Sequence, residues 1–409
     1  MLNRVWIAFF VASFGAALVQ TLFFGHPEVF NEIIRAIFEM TESAVKIAIG
    51  LIGLMALWLG IFRIAEHSGM VDFLSRGLSP LFCRLMPEVP KNHPAQSAIT
   101  MNLAANMLGL DNAATPLGIK AMQLLQTLNP NPSTATNAQI LFLVINTSSV
   151  TLLPVTIFLY RTQAGSASPT DVFLPILIAT CCSTLAGILA VSWVQKIRLW
   201  QPVILAYFLG FSLLMTLLFL GIASLEASAL SALSSLSANM LLFGFIVAVI
   251  AWGALRKLEV YELFVEGAKE GFTTAINIIP YLVAMLVAIA ALRGSGIFAL
   301  VINAISLGVA AMGLPTEFVA SLPTGLMKPF SGSGARAMML ESFQHYGVDS
   351  LVGRMSAVMQ GSTETTFYVL AVYFGSVGIR YGRHALACGL IADAAGITAA
   401  IFATYLFFG

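Results

Sequence analysis

Two apolar stretches of the chain are interrupted by short polar runs whose side chains could bind a solute or an ion. The first run contains Asn146, Thr147, Ser148 and Ser149, and the second contains Gln360, Ser362, Thr363, Glu364 and Thr365. Polar groups in an apolar segment need partners, because an unpaired one in hydrocarbon is costly. Two interpretations follow: the side chains cap half-helices, or they join free backbone N–H groups in coordinating a polar substrate or an ion.

Glu364 and Asp393 are acidic residues within apolar segments, where an ionisable group is expensive and marks a candidate functional site. Glu364 could bind a cation, take up a proton or accept hydrogen bonds from a substrate hydroxyl. Alternatively, it accepts backbone N–H bonds at a helix break. Asp393 could couple an ion to the site, or it could pack against a polar hairpin tip through hydrogen bonds.

Two other apolar stretches, 97–125 and 316–343, carry polar and helix-breaking residues near their centres. The candidate binding residues are Asn106, Asp111, Asn112 and Thr115 in the first stretch and Ser331 and Ser333 in the second. Lys328 and Arg336 lie beside the second group. These two cations could contact an anionic substrate group, or they could neutralise Glu364 and Asp393.

The composition defines the solvent in which these residues lie. Of the 409 residues, 58% are hydrophobic and only 10% are charged, whereas about a quarter of a soluble domain is charged. So little charge cannot cover a water-soluble surface, and lipid must therefore surround most of the chain. The sequence predicts an all-α polytopic membrane protein. Its net charge of +1 gives no reason to expect a nucleic-acid partner.

Several chemistries are disfavoured by what the sequence lacks. The four cysteines form no CxxC pair, and the five histidines show no ligand spacing, so neither a zinc site nor a disulfide framework is expected. The sequence has no GxSxG, Walker or HExxH motif. We therefore expect no enzyme activity, no metal and no cofactor.

Apolar runs of about 20 residues, the length that spans a bilayer, occupy most of the chain. They are 5–24, 43–62, 137–160, 172–194, 202–223, 236–255, 271–292, 351–376 and 384–408. The first run follows Arg4 and resembles a secretory signal, but it lacks a convincing cleavage site and predicts a transmembrane helix. Stretches 97–125 and 316–343 are predicted to be re-entrant hairpins, because irregular backbone at membrane depth must face protein or water.

The Lys and Arg clusters predict the orientation of these segments. The clusters are Arg63 to Lys91, Lys196 with Arg198, Arg256 with Lys257, and Arg380 with Arg383. If all four lie in the cytoplasm and both hairpins return to their own side, the crossings alternate without conflict. This places the N-terminus in the cytoplasm.

The same order of features occurs twice. In each half, a span is followed by an amphipathic stretch, a Pro-containing loop, a broken hairpin and a span with a polar interruption. Residues 146–151 align with 360–365 without gaps. Since 43–62 runs inward and 271–292 runs outward, the halves are predicted to be inverted repeats, a transporter plan with the substrate near the midplane. The predicted domains are 1–198 and 199–409, the latter including the linking spans 202–223 and 236–255.

Three shorter segments complete the prediction. Residues 26–42 are interpreted as an interfacial amphipathic helix, and 258–270 as its counterpart before the second repeat. Residues 225–237, which are rich in Ala and Ser, are interpreted as a loop.

Long motifs in both halves resemble known families. The first half resembles the spore maturation protein A type at 62–69 (FRIAEHSG), 93–95 and 106–122 (NMLGLDNAATPLGIKAM). The second half resembles the spore maturation protein B type at 261–271 (YELFVEGAKEG), 328–333 and 359–370 (MQGSTETTFYVL). The resemblance covers nearly the whole chain, which looks like a fusion of the two types.

The resemblance implies a Gate or nucleoside-recognition domain, whose fold is shared in outline with concentrative nucleoside transporters and with the membrane part of ferrous-iron transporters. It also implies a bacterial inner-membrane location. The run from Gln360 to Glu364 is similar to the Gly-Gln-Thr-Glu hairpin tip of nucleoside transporters, with a different residue order.

We therefore expect a secondary transporter of a small polar solute, with Na⁺ or H⁺ as candidate coupling ions. The site would lie between the hairpin tips and the broken spans. A homo-oligomer is a further expectation, because hairpin transporters often need a static scaffold. The alternative is a non-transporting membrane scaffold or receptor that acts with a partner protein in envelope or spore maturation, its polar clusters joining helices.

Overall fold

In this computed structural model, the backbone is described for residues 2–90, 93–109, 111–148, 150–222 and 227–409. Side chains are described within these ranges except at 2–5, 111–113, 211, 214–215, 217–220, 222 and 227–228. The described residues are almost entirely helical, and pairing of extended backbone is confined there to one bridge between Thr134 and Tyr381.

The part of the first half that the structure describes contains eight helices. They are α1 (Leu2–Phe24), α2 (Glu28–Ser68), α3 (Met70–Leu85), α4 (Pro94–Met107), α5 (Asp111–Gln126), α6 (Asn137–Ser148), α7 (Val155–Gln163) and α8 (Phe173–Gln195). Two helices then link the halves: α9 (Pro202–Ile222) and α10 (Ala227–Leu255).

The second half repeats the pattern of α2 to α8. It contains α11 (Val260–Gly294), α12 (Ile297–Ala311), a 3-10 helix (Glu317–Ser321), α13 (Leu322–Met327), α14 (Gly332–Tyr346), α15 (Leu351–Gly361), α16 (Thr366–Gly375) and α17 (Ala385–Phe408). Helices α4 and α5 form the first hairpin. The 3-10 helix with α13 and α14 forms the second.

The longest helices of the two repeats, α2 and α11, pack against each other along their length. Gly294 at the end of α11 lies against Ile33 near the start of α2, whereas Gly271 lies against Ala56 in the second half of α2. The two helices are therefore antiparallel, as inverted repeats require. Gly267 and Gly271 form a small-xxx-small motif that brings the backbones into close contact.

The two amphipathic segments are not separate interfacial helices, which corrects that prediction. Residues 28–42 continue without a break into α2, and residues 260–270 continue into α11. The physical reason is packing: Val29 and Ile33 are buried in a cluster with Ala291, so this first part of α2 covers the end of α11. At 41 residues, α2 is about 60 Å long, twice the thickness of the hydrocarbon core.

Residues 227–237 of the segment predicted to be a loop are also helical, because α10 begins at Ala227, while residues 225 and 226 lie outside the described residues. Ala has the highest helix propensity and Ser is tolerated in helices. The serines contact the first repeat: Ser234 Oγ accepts a 3.0 Å hydrogen bond from Leu174 N. Ser235 Oγ lies 2.7 Å from Ser168 Oγ. The serines that suggested a loop instead form contacts between α10 and the first repeat.

A cluster of charges joins the two repeats at one end of the bundle. Arg161, which is fully buried at the end of α7, pairs with Asp171 at 2.8 Å and with Asp349 of the second repeat at 2.9 Å. Arg354 of α15 contacts the other oxygen of Asp171 at 2.9 Å. We call Arg161, Asp171, Asp349 and Arg354 the Arg161 cluster.

Among the described residues, six helices are long and apolar enough to cross a membrane: α1, α2, α8, α10, α11 and α17. The predicted spans 137–160 and 351–376 are each divided into two half-helices, α6 with α7 and α15 with α16. These features confirm an all-α, multi-pass membrane protein with two inverted repeats, hairpins and broken helices. The domain boundary at 198/199 stays a prediction.

Candidate functional site

The two helix breaks meet each other. Glu364 N donates a 2.7 Å hydrogen bond to Thr147 O, so the broken spans of the two repeats are joined through their backbones. Each break also contacts the hairpin of its own repeat. Leu152 N donates to Met107 O at 2.9 Å, and Phe367 N donates to Pro329 O at 3.0 Å. These bonds satisfy backbone groups that the breaks leave without helical partners.

The hydroxyls at the matched positions Ser148 and Ser362 do not cap the following half-helices. Ser148 Oγ donates to Val144 O at 3.0 Å, and Ser362 Oγ donates to Met359 O at 2.8 Å. Both bonds return to the helix that is ending. The N-caps of α7 and α16, Pro154 and Thr365, make no side-chain capping bond. The interpretation of these two serines as N-caps is therefore wrong, although Ser362 lies at the C-cap of α15.

The amides at the matched positions Asn146 and Gln360 differ in what they contact. Asn146 Oδ1 accepts hydrogen bonds from Asn106 Nδ2 at 2.8 Å and from the Tyr373 hydroxyl at 3.3 Å. Gln360 is 5% exposed, and its Oε1 has no hydrogen-bond partner in the described structure. A buried oxygen without a partner is costly. Gln360 is consequently available to a ligand, whereas Asn146 ties the first break to the first hairpin.

A cavity of about 550 Å³ lies where the breaks and hairpins converge. Its polar lining residues are Asn106, Thr115, Asn146, Tyr281, Ser331, Ser333, Arg336, Glu364, Thr365, Tyr368 and Tyr373. The Glu364 side chain is exposed here although its chain neighbours are buried. The cavity thus offers carboxylate and amide acceptors together with hydroxyl, amide and guanidinium donors.

A second, smaller cavity of about 110 Å³ adjoins the first and shares four lining residues with it, Asn106, Gly332, Arg336 and Glu364. Gln360, Thr363 and Lys328 also line the smaller cavity. Thr363 Oγ1 is buried without a hydrogen-bond partner, like Gln360 Oε1. The two unpartnered oxygens therefore lie in the wall of one cavity.

The tip of the second hairpin places two helix N-termini at the cavity. Ser331 caps α14 by accepting a 3.0 Å bond from Gly334 N, and its hydroxyl lies 3.2 Å from that of Ser333. A Cβ on Gly332 would lie 2.8 Å from Thr365 Oγ1, so the starts of α14 and α16 are in contact. Helix N-termini carry partial positive charge. Arg336, on the first turns of α14, adds a full charge on the same side.

Asp393 lies behind the second break rather than in the cavity wall. It is 2% exposed on α17, and its Oδ2 accepts a 2.5 Å hydrogen bond from the Thr366 hydroxyl. This hydrogen bond joins Asp393 to the second break, whereas the prediction named a hairpin tip as its partner, so both that packing and a role in coupling stay predictions. Lys328, buried at the hairpin tip, lies within electrostatic reach of Asp393.

Thus the structure brings most of the predicted site residues together. The side chains of Asp111 and Asn112, and Ser149 as a whole, lie outside the described residues. Sequence reasoning missed Tyr281, Tyr368 and Tyr373, which line the larger cavity. Tyr373 also connects Asn102 to Asn146. Tyr368 and Tyr373 could have been identified from the sequence, because each is an aromatic residue with a hydroxyl group that follows the polar run 360–365. Whether any of these residues binds a solute stays a prediction.

Comparisons with known proteins agree with this architecture. The profile of the Gate family, described as nucleoside recognition, matches residues 48–163 and 275–380. The chain is 40% identical over 189 residues to spore maturation protein A of Bacillus subtilis (strain 168), a match that covers 46% of this chain and 93% of that protein. It is 46% identical over 164 residues to spore maturation protein B of the same organism, covering 40% of this chain and 90% of that protein.

Proposed function

The chain belongs to the Gate family of nucleoside-recognition domains, and on this premise we propose that it is a secondary transporter of a small polar solute. The solute binds in the cavity formed by the two breaks and the two hairpin tips. Glu364 is its principal hydrogen-bonding or coupling residue, and Gln360 and Thr363 supply further contacts. No catalytic step is part of this function.

The single observation that carries the proposal is the meeting of two polar helix breaks, one from each inverted repeat, at a cavity with unpartnered buried oxygens. Irregular backbone at membrane depth is tolerated where it lines such a cavity, and transporters place substrates there. A volume of about 550 Å³ suits a small molecule.

The static part of the transporter is the α2–α11 pair. It is tightly packed through Gly267 and Gly271, and it extends beyond the thickness of a bilayer. The moving parts are the hairpin tips, which contact the breaks through backbone hydrogen bonds, the Asn106–Asn146 side-chain bond and the stacked rings of Phe330 and Phe367. The family description adds nucleosides to the solutes worth testing.

The proposed location is the bacterial inner membrane with the N-terminus in the cytoplasm. Support comes from the Lys and Arg clusters. Arg383 donates to Ala135 O at 3.1 Å, and Gln195, beside Lys196, contacts His384 at 3.0 Å. Basic segments from both repeats therefore share one end of the bundle, while the Arg161 cluster lies at the other.

The experiment that tests the proposal is a thermal-stability screen of the purified protein against nucleosides, organic acids, amino acids and cations. A compound that binds the native state raises the apparent melting temperature by mass action. We expect one class of solute to stabilise the wild type and to have no effect on Glu364→Gln. No stabilisation by any class would favour a membrane scaffold or receptor, and the relatives' names, which refer to a process and not a solute, fit that alternative.

A further inference from the structure

Asp393 is a buried acid that the solute cavity does not use. It lies near the middle of α17, between Gly389 and Gly396. A Cβ on Gly389 would come within 2.9 Å of Thr366, and one on Gly396 within 2.7 Å of Thr363. The absence of side chains at these positions lets the second break approach α17 and encloses the carboxyl group.

The hydrogen bonds around this carboxyl group are incomplete. Oδ2 accepts from the Thr366 hydroxyl, but Oδ1 has no partner in the described structure, and the same is true of the hydroxyl of Thr363. The Thr363 hydroxyl lies within hydrogen-bonding range of the Asp393 carboxyl group, but Thr363 Oγ1 and Asp393 Oδ1 do not meet in good hydrogen-bond geometry. A carboxylate can only accept hydrogen bonds, whereas a protonated carboxyl also donates one. A proton on Oδ1 would make that oxygen a donor to the hydroxyl oxygen of Thr363, which has no partner either.

Two charged side chains act on Asp393: Lys328 at the tip of the second hairpin and Glu364 in the break. The helices packed against α17 bring few other titratable side chains near Asp393. Helices α6 and α10 carry no titratable side chain, and α8 carries only Cys181 and Cys182. The titratable residues on α15 and α16 are Arg354, which lies over Phe408 at the end of α17, and Tyr368 and Tyr373.

Proton uptake at this position would change the charge of the solute cavities. Among the described residues, Lys328 and Arg336 are the cations in their walls and Glu364 is the acid. With Asp393 ionised behind the wall, the four charges balance. With Asp393 neutral, one positive charge is in excess beside the N-termini of α14 and α16, where an anionic group is favoured.

We propose that Asp393 is a proton-binding site, distinct from the solute cavity, whose protonation favours binding of a solute that carries one negative charge. The inference rests on the proposed transport function and deepens it: the solute class is a monoanion, carboxylate or phosphate ester, taken up together with one proton. The proton goes from water to Asp393 Oδ1, and no bond to the solute is made or broken.

A proton fits this position better than Na⁺. The ammonium group of Lys328 opposes any added positive charge at this position, but a neutral carboxyl group is the favoured form of an acid in low dielectric. A proton also requires no ring of oxygen ligands. If Na⁺ bound at Asp393 instead, the positive charge of the cavity would increase with the sodium concentration and would not depend on pH.

Infrared spectroscopy tests the proton site without any solute. The full-length protein in detergent is titrated with acid in D₂O, and the C=O band of a protonated carboxyl group is followed. We expect a band that titrates in the wild type, disappears in Asp393→Asn and persists in Glu341→Gln, a control at another buried carboxyl group. A band unchanged by Asp393→Asn, or one displaced by exchanging Na⁺ for K⁺ at constant pH, would overturn the assignment.

Binding of simple probes then tests the coupling. Acetate, benzoate and dimethyl phosphate remain monoanions across the neutral range, and benzamide is a neutral match for benzoate. Wild-type affinity for a monoanion should rise as the pH falls, by up to about tenfold per pH unit while Asp393 titrates. Asp393→Asn should bind the same probe at one affinity at every pH, and benzamide should show no pH dependence.

The outcomes separate this inference from the proposed function. Monoanion binding that is absent, or independent of pH in the wild type, overturns the coupling. If at the same time a neutral solute stabilises the wild type and not Glu364→Gln, the transporter proposal stands while the proton-coupling inference fails. Binding by carboxylates but not by dimethyl phosphate, or the reverse, identifies which anion the cavity takes.

Discussion

Glu364 N and Thr147 O are 2.7 Å apart, and this one hydrogen bond links the centre of each inverted repeat to that of the other. Because the donor belongs to the second repeat and the acceptor to the first, neither break can open at this point without affecting the other. A solute held beside Glu364 therefore lies next to the hydrogen bond that joins the two repeats.

The first prediction concerns the Glu364 side chain. Since it is exposed to the cavity, Glu364→Gln should leave the melting temperature of the solute-free protein nearly unchanged and should abolish stabilisation by the solute. Glu39→Gln, at an exposed ion pair on α2, is the matched control and should retain full solute stabilisation. A Glu364→Gln protein that responds like the wild type would remove the role assigned to this residue.

The second prediction contrasts the matched amides. Asn146→Leu should destabilise the protein by about 1–3 kcal/mol, because Asn106 and Tyr373 lose their acceptor. Gln360→Met removes an oxygen that has no partner, so it should leave the stability unchanged or raise it while it weakens solute binding. Chemical denaturation and solute titration of both variants provide the two measurements. Equal effects on stability would show that the two positions are not functionally different.

A third prediction tests the scaffold. A Cβ on Gly271 would lie 2.6 Å from the Ala56 backbone, whereas one on Gly244 of α10 would meet no atom within 4 Å. Gly271→Leu should therefore separate α2 from α11 and destabilise the protein by more than about 1–3 kcal/mol. Gly244→Leu should cost less than half as much. Melting temperatures in the same detergent compare the two, and similar losses would argue against a close α2–α11 contact.

The fourth prediction uses the Arg161 cluster. Arg161→Met leaves the fully buried Asp171 with one partner fewer and should cost about 3–5 kcal/mol. Arg35→Met, which breaks an exposed pair on α2, should cost little. Loss of the contact between Arg161 and Asp349 should also speed hydrogen exchange at the C-terminal end of α7 and at the start of α15. An Arg161→Met protein as stable as Arg35→Met would show that the cluster contributes nothing.

The pH dependence of the same cluster follows from Asp349. Burial alone would raise its pKa, but hydrogen bonds from Ser166 and Ala167 and the charges of Arg161 and Arg354 outweigh burial and lower that pKa. A carboxyl group with a lowered pKa stabilises the fold above its unfolded value of about 3.9, and this contribution is lost as the pH falls through the folded value. Asp349→Asn should thus melt below the wild type at neutral pH, and the difference should vanish in acid. A constant difference at all pH values would contradict this sign.

The sequence predicted the membrane class, both hairpins and both breaks, because apolar length and polar interruptions are local signals. It misjudged residues 26–42, 258–270 and 227–237, since amphipathic and Ser-rich segments look alike whether they face water or another helix. The partners Leu174 and Ala291 that decide those cases are distant in sequence. The sequence also could not show that Asn146 has hydrogen-bond partners while Gln360 Oε1 has none. That difference depends on Asn106 of the first hairpin, which bonds to Asn146.

The most direct test of the central claim is counterflow of the stabilising solute in proteoliposomes. Vesicles loaded with unlabelled solute are diluted into a trace of labelled solute, and accumulation of label is measured for the wild type, for Glu364→Gln and for protein-free vesicles. We predict transient accumulation by the wild type and none by the other two. Binding of the solute without any counterflow by the wild type would contradict transport, and would identify the cavity as the site of a receptor or scaffold.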